Sequence, residues 1–292
     1  MFLKWSLIVF KKHFFFLVFL LFVPLTAVGE VLFPDPTGDG LNAAYSKTSR
    51  VELESQVEEG LPSAEYMMGM IYLSGDAAWG VQPDYKKAFS LLHRAWCDDV
   101  FDAGYALSTM YYKGLGVDKD LAKVRSFVLK SGENGYIKSQ RTLGLAYKGD
   151  VLQSVFDKDI EKSIFWFEKA AINGDQLSAA NLSVIYGGDG VLHDEKKSFE
   201  WKKRAASAKY GNSRFVQFLK LAEFYEKGVG TDKDLVQAYK YYDLSGSAGV
   251  EGKQRVAEEM TQEQIDEAIR KSQEWQKEHN VQVGGGFIRR AN

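Results

Sequence analysis

A single cysteine, Cys97, stands in 292 residues, so no internal disulfide can form and stability has to come from packing. With only five prolines, long helices need not be interrupted. Histidine is equally scarce: His13, His93, His193 and His279 lie far apart, and no pair has zinc-site spacing. Neither a Gly-x-Ser-x-Gly elbow nor a convincing Ser-x-x-Lys set is present. The expectation is therefore no catalytic residue, no metal and no cofactor. Net charge is −2 and the body carries no basic block, which argues against nucleic acid, because phosphate backbones are held by clustered Lys and Arg. Cys97 reads as a small buried apolar residue beside Trp96, with no neighbouring histidine or second thiol to activate it.

What the chain does contain is 45% hydrophobic and 26% charged residues, the balance of a folded protein. Its 27 glycines recur at fixed places, as they do where helix after helix ends in a left-handed cap. Residues 1–29 read as a secretory leader: Lys4, Lys11 and Lys12, the apolar run Phe14 to Val23, Pro24, then the small Ala27 and Gly29. Cleavage is expected after Gly29, which makes the net charge more negative by the three lysines. The main apolar run spans about ten residues where a membrane helix needs about twenty. An uncleaved anchor from Leu7 to Val23 would have to bury Lys11, Lys12 and His13, at a cost of several kcal/mol. The expected location is the periplasm or the exterior, with no membrane span once the leader is gone.

The body repeats itself. Tyr66, Gly69, Tyr72, Gly75, Asp84, Ala88, Phe89, Leu92 and Ala95 set a pattern that returns at Tyr105, Ser108, Tyr111, Gly114, Gly116, Asp120, Phe127 and Ser131. It returns again at Leu143, Gly144, Tyr147, Gly149, Asp159, Phe167 and Ala170, at Leu182, Ser183, Tyr186, Gly190, Asp194, Phe199 and Ala205, and at Leu221, Ala222, Tyr225, Gly228, Asp234, Tyr242 and Ser245. A period of this length is that of a helical solenoid. The small residue (Gly69, Ser108, Gly144, Ser183, Ala222) lets the second helix of each pair approach, and the tyrosine three residues later fills the adjoining space. The glycines after it end the first helix, and Asp84, Asp120, Asp159, Asp194 and Asp234 are placed to cap the second. Each pair alone leaves an apolar stripe, so neighbours must stack.

These segments, among them YYKGLGVDKD from Tyr111, DKDIEKSIFWFEKAAINGD from Asp157 and YEKGVGTDKD from Tyr225, resemble Sel1-like repeats, relatives of the tetratricopeptide class. The resemblance implies an all-α, right-handed α-solenoid of helix-turn-helix units. Five copies fill residues 62–249. Residues 30–61 form a linker and an N-terminal cap with one helix from Leu41 to Glu59. Residues 250–280 form C-terminal capping helices opening on the capping box Thr261 to Gln264, and 281–292 a flexible tail. Arg125 and Lys202 stand where an apolar residue is usual, and the loop Asp76 to Trp79 is enlarged, so local distortion is expected there.

In superhelices of this kind the first helices line the concave face. Its contact candidates are the column Met67, Ala106, Thr142, Asn181 and Lys220 and, three residues on, Met70, Thr109, Leu145, Val184 and Glu223. Chemistry along both columns passes from thioether to charge, which suits a protein partner with an apolar knob and a polar flank. The expected function is a non-enzymatic adaptor or inhibitor, since exported proteins of the resembled family include envelope scaffolds, regulators held with sensor kinases, and immunity proteins against toxic effectors such as lipases. Some cysteine-rich relatives are associated with penicillin binding, but they carry a disulfide per repeat and Cys97 stands alone. Peptidoglycan binding stays open.

Overall fold

A computed structural model describes residues 29–283. The leader, apart from Gly29, and the tail from residue 284 onward lie outside the described residues. Among the described residues fourteen α-helices follow one another: α1 (Asp39–Tyr45), α2 (Arg50–Glu58), α3 (Pro62–Ser74), α4 (Tyr85–Cys97), α5 (Asp102–Lys113), α6 (Leu121–Glu133) and α7 (Ile137–Lys148) in the first half. The second half comprises α8 (Ile160–Ile172), α9 (Gln176–Gly187), α10 (Glu195–Ala206), α11 (Arg214–Lys227), α12 (Leu235–Leu244), α13 (Val250–Ala257) and α14 (Gln262–Glu278). Among the described residues there is no strand, only isolated bridges such as Glu30 with Val100 and Asp175 with Tyr210. Helices pack chiefly on their neighbours in sequence, so the pairs α3–α4, α5–α6, α7–α8, α9–α10 and α11–α12 stack in chain order as an α-solenoid.

Each hairpin is closed by the same two devices. The first is the aspartate that opens the second helix: the carboxylates of Asp84, Asp120, Asp159, Asp194 and Asp234 each accept the amide three residues on at 3.0 Å. The backbone amide of the same aspartate donates to the carbonyl of the repeat tyrosine, Tyr72, Tyr111, Tyr147, Tyr186 or Tyr225, at 2.8 to 3.3 Å. Both ends of the loop are thereby fixed whatever its length, and the enlarged loop after α3 is closed further by reciprocal backbone bonds between Asp76 and Val81.

The second device is close approach at the small residue. A Cβ on Gly69 would lie 2.8 Å from Leu92, and one on Gly144 only 2.4 Å from the ring of Phe167. At that separation the Ser163 hydroxyl donates to the carbonyl of Gly144, and Ser198 to that of Ser183, each at 2.8 Å. Gly114, Gly149 and Gly228 end their helices at φ of 73°, 90° and 69°, a region that costs other residues energy. The fourth pair differs from expectation: α9 stops at Gly187, its cap Gly188 has φ −78°, and the turn that follows leaves Val191 fully exposed.

Four other expectations are corrected. The N-terminal cap is two helices, because Ser49 accepts the amide of Glu52 and starts α2 afresh after Ser46 has closed α1. Cys97 is exposed at the last residue of α4, and His93, one turn before it, places Nδ1 3.6 Å from its sulfur. Arg125 and Lys202 cause no break in α6 or α10. Arg125 reaches across to the carbonyl of Val155 and lies over Phe156, while Lys202 is buried with its ammonium 5.8 Å from the Phe224 ring centre. Long stems let these cations fill apolar positions. Finally, the segment read as a tail begins docked: Val281 donates to the carbonyl of Gln276, and Val283 to its side-chain oxygen.

At the C-terminal end α14 seals the stack against α12. Its capping box at Thr261 and Gln264 forms as expected, Trp275 meets the Phe218 ring edge-on at 5.0 Å, and Ser272 donates to Asp243. Asp120→Ala is expected to cost about 1 kcal/mol by freeing the first amides of α6. Gly144→Ala should cost more, about 3 kcal/mol, because Phe167 is fully buried and has little room to yield. Urea unfolding of the two variants checks that order.

Candidate functional site

The first helices of successive pairs touch directly, α3 with α5 and α7 with α9, while no second-helix pair makes comparable contact among the described residues. They line the inner side of the stack, which is where both candidate columns stand. Half of this wall is covered by the chain itself. Glu30 donates to the carbonyl of Asp99 and accepts from the amide of Phe101. The next amides, of Leu32 and Phe33, donate to the two carboxylate oxygens of Asp102 at 2.8 and 2.9 Å. Phe33 stacks on Tyr66 with ring centres 5.8 Å apart, and the carbonyl of Pro36 accepts from Arg141 at 3.3 Å. This strap then turns into α1, where Tyr45 packs on Trp79 and bonds Asp76.

The strap thus lies across α3, α5 and α7, and it divides the candidate residues. Met67 and Ala106 are 9% and 4% exposed. Met70, Ala106 and Thr109 border a small cavity under the strap. Beyond it the wall is open. Val184 is 64% exposed, and Leu177 on α9 and Val216 on α11, one turn before Asn181 and Lys220, are 45% and 54% exposed. Around them stand half-buried Leu145, Thr142 bonded to the carbonyl of Lys138, and Asn181, whose side-chain oxygen accepts from Lys148 at 3.1 Å. Lys220 and Glu223 form a surface pair at 3.2 Å. Leu177 and Val216 were absent from the columns, yet extending the first column back by one helical turn from Asn181 and Lys220 finds them.

Electrostatics hold the strap in place. Asp102 is almost wholly buried, and burial raises its carboxyl above the usual range even though the amides of Phe33 and Leu32 pull it down. Arg141 bridges the strap to the fourth repeat, pairing with buried Asp175 at 3.1 Å. Asp175 in turn caps α9 through Ser178. Nothing in the sequence marks Asp102 or Arg141, because their partners are 70 and 105 residues away. A second buried acid, Glu65, pairs with Arg94 at 2.9 Å and keeps one oxygen without a partner. Burial raises its pKa, Arg94 lowers it and Asp98 adds to the rise.

The outer face corrects one further reading. Lys196, Lys197, Lys203 and Arg204 line a shallow depression around Trp201 on α10, so the body does hold a basic cluster. Two of its cations are paired locally, Lys203 at 2.8 Å from Glu200 and Lys197 at 3.8 Å from Asp194, and Arg204 lies over the Trp201 ring.

Stacked hairpins with an inner wall of first helices define a repeat scaffold for macromolecular contact. The Sel1 repeat model matches residues 62–95, 102–135, 140–175, 176–210 and 219–250, more than half of the chain, and the chain belongs to the Sel1 repeat family. It is 27% identical over 159 residues to the chitin synthase regulator SKT5 of Saccharomyces cerevisiae, a match that takes in 53% of this chain and 22% of that protein. The chain therefore spans about a fifth of that relative's length. Among solved structures it is similar to c5321, a protective antigen of uropathogenic Escherichia coli, with 25% identity, a TM-score of 0.59 and coverage of 84% and 54% of the two chains. A Sel1 repeat protein from Oxalobacter formigenes superposes with a TM-score of 0.56 at 20% identity, covering 78% and 58%. Sel1 repeats are protein-interaction modules, and among the described residues no helix is long and apolar enough to cross a membrane.

Asp102→Ala is expected to loosen the strap, since two amides lose a shared acceptor; hydrogen exchange at Leu32 and Phe33 should accelerate while amides in α9 stay protected. Glu65 gives a pH signature. Its pKa is higher folded than unfolded, so its share of stability is full below the ordinary glutamate range and is lost as pH rises through the raised value. Glu65→Gln should therefore be the more stable form at neutral pH, with the gap to the parent shrinking by about pH 4. Urea midpoints at both pH values measure it.

Proposed function

We propose that the chain is an exported, non-enzymatic adaptor or inhibitor that grips one partner protein with the part of its inner wall left open by the strap. The observation that carries this reading is the coincidence of three exposed aliphatic side chains, Leu177, Val184 and Val216, on successive first helices of that wall. Exposed apolar residues are ordinary singly, but grouped on a repeat scaffold's inner face they suit a contact surface. Lys148 with Asn181 and Lys220 with Glu223 supply the polar flank. Export rests on the leader read from residues 1–29. In its sharper form the partner is a toxic secreted effector such as a lipase, and the chain is its immunity protein.

A second reading, a scaffold or regulator of a cell-envelope machine, draws on the relatives: one is named a chitin synthase regulator, and another, 33% identical over 95 residues, an activator of C kinase from the same yeast. Both readings use the same wall and differ in the partner. Affinity capture from envelope extract is the test. The parent chain should retain one stoichiometric protein through a stringent wash, and Val184→Asp combined with Val216→Asp should lose it, whereas Ile172→Asp on the outer face of α8 should not. Failure of the parent to retain any partner would sink the adaptor reading. Covalent labelling by a β-lactam or sedimentation with purified sacculi would move the function to the penicillin-binding or peptidoglycan-binding class.

A further inference from the structure

The strap does more than cover the wall: with it, the wall encloses a cavity of about 130 Å³. Phe33 and Leu41 come from the N-terminal segment, Met70 and Leu73 from α3, Thr109 from α5 and Lys138 from α7. The volume equals the share of about four water molecules and is well below that of sites for drug-sized ligands. Most of the surface is apolar, and Met70 brings a side chain that adapts to irregular shapes.

Most polar groups at its border are engaged with one another or with the strap. Asp102 takes the amides of Leu32 and Phe33, and Asp35 takes the amide and hydroxyl of Thr37. Tyr66 and Tyr136 are buried beside each other, and burial raises both hydroxyls. Lys138 has its ammonium 4.9 Å from the Tyr105 ring centre and forms no ion pair with any described residue. Burial and the neighbouring Arg141 both lower its pKa, as expected of a desolvated cation without a counter-charge. Asp35 and Asp102 also line the cavity, but each is compensated by donors at hydrogen-bond distance, whereas Lys138 is compensated by a ring face alone.

We propose that this cavity binds a small apolar monocarboxylate, its carboxylate on the Lys138 ammonium and its short hydrocarbon part against Met70, Leu73 and Phe33. The site exists only when the strap is docked, because Phe33 and Leu41 are two of its walls. Ligand binding and strap docking therefore reinforce each other by linkage.

Isovalerate, its neutral amide isovaleramide and zwitterionic leucine are probes of nearly one size and different charge. Calorimetric titration of the full chain should give binding of isovalerate at least about tenfold tighter than of the amide. Lys138→Met should abolish that preference, and Thr109→Leu, which keeps the lysine and narrows the cavity, should weaken isovalerate. Amide exchange at Leu32 and Phe33 should slow when isovalerate is bound. Equal binding of acid and amide, or no heat with isovalerate up to about 10 mM, would overturn the proposal. Leucine binding more tightly than isovalerate would also overturn it, in favour of a zwitterion site.

Discussion

Everything in this molecule rests on how closely the two helices of a pair can approach. Where Gly144 faces Phe167 there is no space for a Cβ, and a serine on the second helix reaches the backbone of the first. Contact at that distance lets a buried ring touch main chain, and dispersion then contributes along the whole hairpin. The aspartate and the tyrosine carbonyl lock the hairpin at its loop end, so pairs of nearly one shape are produced from loops of different lengths. Identical hairpins stack; irregular ones would not. A solenoid is thus the consequence of one hairpin design, with a small residue at the crossing, used five times.

A stack of this kind has open ends and an open inner face, and the chain deals with each differently. At the C-terminal end α14 lays an amphipathic face on α12, with Trp275 in contact with Phe218 and the polar side outward. At the N-terminal end α1 and α2 do the same, and the strap goes further by running along the inner face. It is held by main-chain hydrogen bonds to Asp102 and Arg141 and by Leu32 and Phe33 packed against the core. The wall thereby shows, within one molecule, how it accommodates an extended segment: charged side chains rooted in the first helices address the backbone, and apolar side chains such as Phe33 settle between them.

Buried charge is the cost of that arrangement. Asp102, Asp175 and Glu65 are all removed from water, and a carboxylate so placed is tolerated only where donors converge on it. Asp102 and Asp175 have such donors, the former from the strap and the latter from Arg141 and the first turn of α9. Glu65 has one partner and an unpaired oxygen, and burial raises its pKa as it does that of Asp102.

The repeat, its helices and their caps were readable from residue types and spacing, because each depends on contacts within one hairpin: Asp120 with Lys123, Gly69 with Leu92, Gly114 at the end of α5. Even the break between α1 and α2 had a local sign in Ser49 and Glu52, although the apolar pattern from Leu41 onward masked it. Cys97 was misplaced because the burial of one helix position depends on which face its neighbours cover, and there the fourth residue back, His93, shares its exposed side. The candidate wall was found by register alone, yet its division into a covered and an open half was not. That division depends on Leu32, Phe33 and Pro36 meeting Asp102 and Arg141 across 69 to 105 residues of chain. Periodicity reports what recurs within a repeat; a single strap that crosses three repeats has no period, and only the tertiary structure could place it.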